Sequence, residues 1–270
     1  MTIPAAAWSA FTAELDLWAA AGQKAVFWWR DDDAADLTPA LARLLALQIR
    51  FAAPLALAVI PAQASERLVE CLQSGTAIAA LQHGYVHHNH ALVGEKKSEF
   101  PTSRSLQARL ADIRLGRDNL AARLGSALLP VLVPPWNRIA DDMLPMLTEL
   151  GFVAVSGFKP RADYWAAPEL AWLNTQLDPI DWHGSNNPAA ARNSLEAATA
   201  LLRAMRHSEL PLQPVGFLTH HLRHDEFLWG FVASFVEAVA RHPACHWIDT
   251  VAALAIGRPA DMAAPVMRTS

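Results

Sequence analysis

Residues 25–33 read AVFWWRDDD: an apolar run, Ala25–Trp29, followed at once by Arg30, Asp31, Asp32 and Asp33. An apolar run of this length, rich in aromatics, reads as a strand buried on both faces, and the charges after it mark the strand's C-terminal end. The same pattern recurs down the chain. Apolar runs at Leu55–Ile60, Ala77–Gln82, Val131–Pro134, Phe152–Ser156, Ala171–Leu177 and Val215–Thr219 are predicted strands. Helical patterns fill most of the intervals: Thr38–Arg50, Ala62–Ser74, Ser103–Leu124, Ile139–Leu150 and Pro188–Arg206, with Glu226–Arg241 after the last strand. Ser65 and Ser103 are placed to cap helix N-termini, and Gly75, Gly125 and Gly151 to end helices in the left-handed conformation. Strands alternating with helices, with few hairpin signals, predict an α/β fold whose parallel sheet is covered by helices. Periodicity alone leaves open whether seven strands close into a barrel or remain an open sheet.

Bulk properties narrow the function. With 270 residues, 53% of them hydrophobic, the chain can bury a large core, and one domain over 1–270 is expected. The net charge of −4 does not suit a partner built on phosphates, so no nucleic acid is expected. Two cysteines, Cys71 and Cys245, form no CxxC pair and read as buried free thiols. Near the N-terminus Trp8, Phe11, Leu15 and Trp18 recur at helical spacing, with Glu14 and Asp16 on another face; a helix over 5–21 is expected to pack on the domain. That segment lacks the basic start of a signal peptide. The most apolar stretch, Phe51 to Ala62, is shorter than the roughly twenty residues of a membrane span and carries Pro54 and Pro61. No membrane span and a cytoplasmic location are therefore expected.

Polar residues collect directly after the predicted strands. Asp31, Asp32 and Asp33 follow the first, and His83, His87, His88 and His90 lie at or beyond the end of the third. Pro134-Pro135-Trp136-Asn137-Arg138 follows the fourth, Asp178 to His183 the sixth, and His220-His221 the seventh. Parallel α/β folds assemble their sites at that end of the sheet. Three adjacent carboxylates resist ionising together, and a cation relieves the repulsion, leaving one acid to ligate and another to act as base. His83 and His87 stand at i and i+4, which sets two imidazoles on one face. Two His and one Asp leave ligand positions open, the arrangement of a catalytic metal. A single His after the seventh strand suits a general acid near neutral pH. Glycine-rich phosphate loops and a GxSxG elbow are absent.

Taken in order, these motifs resemble those of the polysaccharide deacetylases of the NodB-homology type, carbohydrate esterase family 4. TFDDG is similar to Trp29-Arg30-Asp31-Asp32-Asp33, implying Asp31 as base and Asp32 as metal ligand. H[ST]xxH resembles His83-Gly84-Tyr85-Val86-His87, and RPP[YW] resembles Val133-Pro134-Pro135-Trp136. DxxDW matches Asp178-Pro179-Ile180-Asp181-Trp182, and [LIV]xH matches Leu218-Thr219-His220, implying His220 as acid. The likeness runs over about residues 25–225. It departs at Val133, where the family has an arginine that pairs with the base; Arg30 and Arg138 are the candidates to replace it. Asp33 stands at the motif's glycine, and Gly84 at its Ser/Thr.

The resemblance implies a single-domain distorted (β/α)7-type barrel and removal of an N-acetyl group from an amino-sugar glycan. A divalent ion, Zn2+ with Co2+ or Ni2+ as alternatives, is expected on Asp32, His83 and His87. Asp181, rather than Asp178, is expected to orient His220, and Pro135, Trp136 and Trp182 to contact the sugar. Two other readings are an amidohydrolase of a small non-carbohydrate substrate and a glycan-binding descendant without turnover.

Overall fold

The computed structural model describes residues 3–74, 77–160, 163–256 and 258. In chain order the elements are α1 (Ala5–Ala20), β1 (Ala25–Ala34), α2 (Pro39–Phe51), β2 (Leu55–Val59), α3 (Glu66–Gln73) and β3 (Ile78–His83). They continue with α4 (Leu106–Leu124), β4 (Leu128–Val133), α5 (Leu144–Leu147), β5 (Ala154–Val155), β6 (Trp165–Ala167) and β7 (Leu170–Trp172). The last are α6 (Asn187–Arg206), β8 (Val215–Thr219), α7 (Glu226–Arg241), β9 (Cys245–Trp247) and α8 (Thr250–Ala255). The described residues group into two compact units, each drawn from separated segments.

The first unit comprises the described residues of Met1–Asp31, Thr38–Leu55 and Thr175–Gly257. Here β1 lies parallel to β8, with Asp31 opposite Thr219, and parallel to β9 along its first residues. Its core is aromatic: Phe27 packs edge-on to Phe11 and Phe235, and Phe235 meets Phe217 at 4.6 Å between ring centroids. The helical spacing read near the N-terminus is realised as α1, which buries Phe11, Leu15 and Trp18. Glu14, expected on a polar face, is buried beside them. Its carboxylate accepts two hydrogen bonds from Arg206 of α6, at 2.7 and 3.2 Å, which is how an acid can sit in an apolar seam.

The second unit comprises the described residues of Asp32–Leu37, Ala56–Asn174 and Arg258–Ser270. Its strands follow the order β6-β7-β5-β4-β3-β2; β3, β4, β5 and β7 pair in parallel, and β6 runs antiparallel to β7. Phe100, Ile113, Leu132, Met143, Leu147 and Phe152 belong to one buried apolar core. Helix α4 comes close to β3 at Gly116, where an added Cβ would meet Gln82 Nε2 at 2.6 Å and the Gly84 carbonyl at 3.1 Å. Gln82 uses that proximity, donating from Nε2 to the carbonyls of Gly84 and Ile113, both at 2.9 Å.

Several boundaries depart from the sequence reading for local reasons. Ser65 caps α3 as expected, but α4 is capped by Ser105 rather than Ser103, because the hydroxyl of Ser105 accepts the Ala108 N–H. Gly151 has φ +81°, and Gly125 ends α4 with positive φ but extended ψ; Gly75 lies outside the described residues. The helix expected over Ile139–Leu150 reduces to a 3-10 turn at Asp141–Met143 and the single turn α5. The strand expected over Ala171–Leu177 shrinks to β7, with Leu177 making one isolated parallel bridge to Phe217. Among the described residues no helix is long and apolar enough to cross a membrane. Both cysteines are free, and burial pushes the Cys245 thiol up to about 12.

Because Gly116 has no room for a side chain, Gly116→Val is expected to lower stability by about 1–3 kcal/mol through overpacking. Urea denaturation checks this; an unchanged midpoint would contradict the close approach of α4 to Gln82.

Candidate metal centre

The site in the second unit begins at the end of β3. His83 is the last residue of that strand and lies in register with Val133 of β4. Its Nδ1 stands 3.0 Å from the Val133 carbonyl. A carbonyl can only accept, so Nδ1 carries the hydrogen and Nε2 is left to face the site. Nε2 lies 3.1 Å from Asp33 Oδ1, and His87 Nε2 lies 3.3 Å from the same oxygen. Asp33, His83 and His87 thus offer three ligand atoms within 4.8 Å of one another.

The aspartate in this group is Asp33, where the resemblance implied Asp32. The reason lies in β1, which was expected to stop at Trp29 but runs on through the acids to Ala34. Asp33 also adopts the left-handed conformation, φ +67°, which aspartate tolerates better than most residues. Asp32 is buried beside the group, and its charge acts on both His83 and His87. Burial opposes a proton on His83, but the hydrogen bond to Asp33 and the charges of Asp32 and Asp33 outweigh it and raise the imidazole's pKa. His87 goes the other way: burial, then the neighbouring His83, lowers it.

The loop carrying His87 is unusual backbone. Gly84, His87, Trp136 and Asn137 all have φ between 55° and 58°. Left-handed non-glycine residues cost of order 1–3 kcal/mol each and persist where the surroundings dictate them, often at functional sites. Trp136, in a 3-10 turn at Pro135–Asn137, lays its ring against His87 with centroids 4.5 Å apart. Pro135, expected to touch substrate, is buried under the loop: a Cβ on Gly84 would meet its Cγ at 2.6 Å. Glu99, to which the sequence reading gave no role, is fully buried and accepts the N–H groups of Tyr85, Val86 and His87. Burial raises its pKa, against the pull of the Val86 and Tyr85 amides. Of the candidates to replace the arginine absent at Val133, Arg138 donates to the Lys97 carbonyl, and Arg30 is fully buried.

The remaining expected residues belong to the first unit. Asp31, implied as base, is fully buried with both oxygens engaged. Oδ2 accepts the Thr219 hydroxyl at 2.6 Å and the His221 N–H at 3.0 Å, and Oδ1 pairs with His221 Nδ1 at 2.5 Å. Burial pushes the Asp31 carboxyl up, but His221 and the Thr219 hydroxyl outweigh it and leave the pKa lowered. His220 meets the Trp182 ring edge-on at 4.7 Å, and Trp182 donates from Nε1 to Asp178 at 2.8 Å. Asp181, expected to orient His220, ties the turn before α6 instead, accepting the N–H groups of His183 and Asn186. These two amides lower its pKa. Trp182 is 46% exposed. His224, against Trp229, is pulled down to about 4 by burial and stays neutral near pH 7.

Against known proteins, no family model and no curated sequence matches the chain. Solved structures do. A Mycobacterium smegmatis protein described as a polysaccharide deacetylase aligns with TM-score 0.57 and 16% identity, over 84% of this chain and 88% of that one. A peptidoglycan N-acetylglucosamine deacetylase aligns with TM-score 0.53 and 14% identity, over 86% and 88%. A mutant of a carbohydrate esterase family 4 pseudoenzyme with restored activity aligns with TM-score 0.51 and 13% identity, over 86% and 68%. The chain therefore has the fold of the polysaccharide deacetylases, an α/β fold with parallel strands that agrees with the expected distorted (β/α)7-type barrel.

Removing the buried Asp31 carboxylate breaks its pair with His221 and its bond from Thr219, so Asp31→Ala is expected to cost about 3–5 kcal/mol at pH 7. A carboxyl whose folded pKa is depressed contributes stability above its ordinary value of 3.8 and loses it as pH falls through the folded pKa. The gap between wild type and variant in urea melts should therefore narrow from pH 7 to pH 3. A constant gap would contradict an ionised Asp31.

Proposed function

We propose that this chain is a metal-dependent hydrolase that removes an N-acyl group from an amino-sugar glycan. The observation that carries the proposal is the convergence of Asp33, His83 and His87 within 4.8 Å. One carboxylate oxygen and two imidazole nitrogens form a donor set suited to a catalytic divalent ion such as Zn2+, with Co2+ and Ni2+ as alternatives. The anchored Nδ1 of His83 supplies the outer support that metal-binding histidines use. An ion bound there supplies Lewis acidity toward a water and an amide carbonyl.

The assignments within the acidic run move one residue along from those first implied. Asp33 takes the ligand role, and Asp32, buried beside the imidazoles, becomes the base that removes a proton from the attacking water. The water oxygen bonds to the acyl carbon and the C–N bond breaks. The resemblance assigns to His220 the proton delivered to the leaving amine, giving a carboxylate and a free amino sugar. Trp136, whose ring lies against His87, is proposed to hold the sugar's apolar face. Val133, lacking the guanidinium of the family's motif, favours a second reading: a glycan-binding protein without turnover.

Elemental analysis with an acetate-release assay on N-acetylated sugar oligomers tests both readings. Wild type is expected to hold about one divalent ion, and Asp33→Ala and His83→Ala to lose it while still folded. Asp32→Ala is expected to keep the ion and lose about 10²-fold or more in acetate release. An ion-free wild type after incubation with zinc, cobalt and nickel would overturn the hydrolase. A loaded wild type that binds oligomers but releases no acetate would establish the second reading.

A further inference from the structure

The three amides that approach the Glu99 carboxylate are consecutive, and the last belongs to His87 itself. Val86 and His87 donate to Oε1 at 2.8 and 3.1 Å, and Tyr85 donates to Oε2 at 3.2 Å. This is a stretch with no strand or helix of its own to satisfy its N–H groups. It is also strained, since Gly84 and His87 at its two ends are both left-handed. Gly84 makes the arrangement possible: any Cβ there would lie 2.0 Å from Glu99 Oε2. A Ser or Thr at position 84, as the related motif has, could not coexist with this carboxylate.

Glu99 is itself held from behind. Phe100, the next residue, is fully buried in the core of the second unit. Arg104 donates to the Glu99 carbonyl at 3.2 Å and pairs with Asp112 of α4 at 2.7 Å. Ser98, on the other side, is fixed by its N–H to Asn89 Oδ1 and its carbonyl to the His90 N–H. A rigid support thus carries a carboxylate that gathers a strained loop.

We infer that Glu99 is the positioning residue of this loop: by accepting three consecutive N–H groups it fixes the backbone that aims the His87 imidazole at Asp33. The inference rests on the metal-site reading and deepens it. Glu99 offers no atom to the ion.

The test compares wild type with Glu99→Gln, which keeps the shape but turns one acceptor into a donor facing an N–H. Glu95→Gln serves as control, because Glu95 caps the Leu92 N–H in an exposed part of the same connection. Two readouts are taken on the whole chain: amide hydrogen exchange at Tyr85, Val86 and His87 without metal, and Co2+ titration followed by its visible spectrum. Glu99→Gln is expected to speed exchange at the three amides by about tenfold. It is also expected to weaken Co2+ binding by about 10–100-fold and to change the band shape, with Glu95→Gln unchanged. Wild-type exchange rates and an unaltered Co2+ spectrum in Glu99→Gln would overturn the inference. If wild type fails to bind Co2+, the metal reading falls separately, and the exchange rates still decide whether Glu99 holds the loop.

Discussion

The hydrogen bond from His83 Nδ1 to the Val133 carbonyl governs the second unit's site, because it settles which nitrogen remains to face Asp33. That bond depends on the parallel register that sets His83 opposite Val133. The register depends in turn on a sheet whose apolar faces are packed, with Leu132 and Val133 both buried. A one-residue slip would turn His83 away and remove the site. Val133 therefore contributes through its backbone, which any residue type could supply, and the loss of an arginine side chain there leaves this part of the geometry intact.

Around that fixed imidazole the rest of the centre is held by constraints of different kinds. Asp33 reaches its place through a left-handed residue at the end of an extended strand. His87 depends on a loop whose backbone is satisfied by Glu99 and whose ring is backed by Trp136. Strain in the loop is offset by buried hydrogen bonds, and those bonds are strong because they lie away from water. Negative charge from Asp32 and Asp33 opposite two imidazoles is the electrostatic counterpart of the same geometry.

Much of this was legible in the sequence. β8 and α7 coincide with their predicted ranges, because each is a long apolar pattern with clear boundaries. The His83–His87 pair was legible from its spacing taken together with the acidic run after the first strand. The short pieces β6 and β9 were not, since three residues carry no periodicity and form only against a partner strand. The roles within Asp31–Asp33 were legible as a group but not residue by residue. A strand can run through charged residues when each finds a partner, and Asp31 does so with Thr219 and His221. Glu99 carried no role in that reading because a lone glutamate outside any motif reads as solvated surface. The one signal was its counterpart, a glycine where the motif carries a hydroxyl.

The central claim is the proposed assignment in which Asp33, with His83 and His87, holds a divalent ion and Asp32 acts as the base. Anomalous diffraction at the zinc edge from crystals grown with zinc tests it most directly. The account predicts one strong peak about 2.0–2.2 Å from an Asp33 oxygen and from Nε2 of both His83 and His87, with Asp32 outside the ligand set. A peak ligated by Asp32 in place of Asp33, or no peak between these side chains, would contradict it.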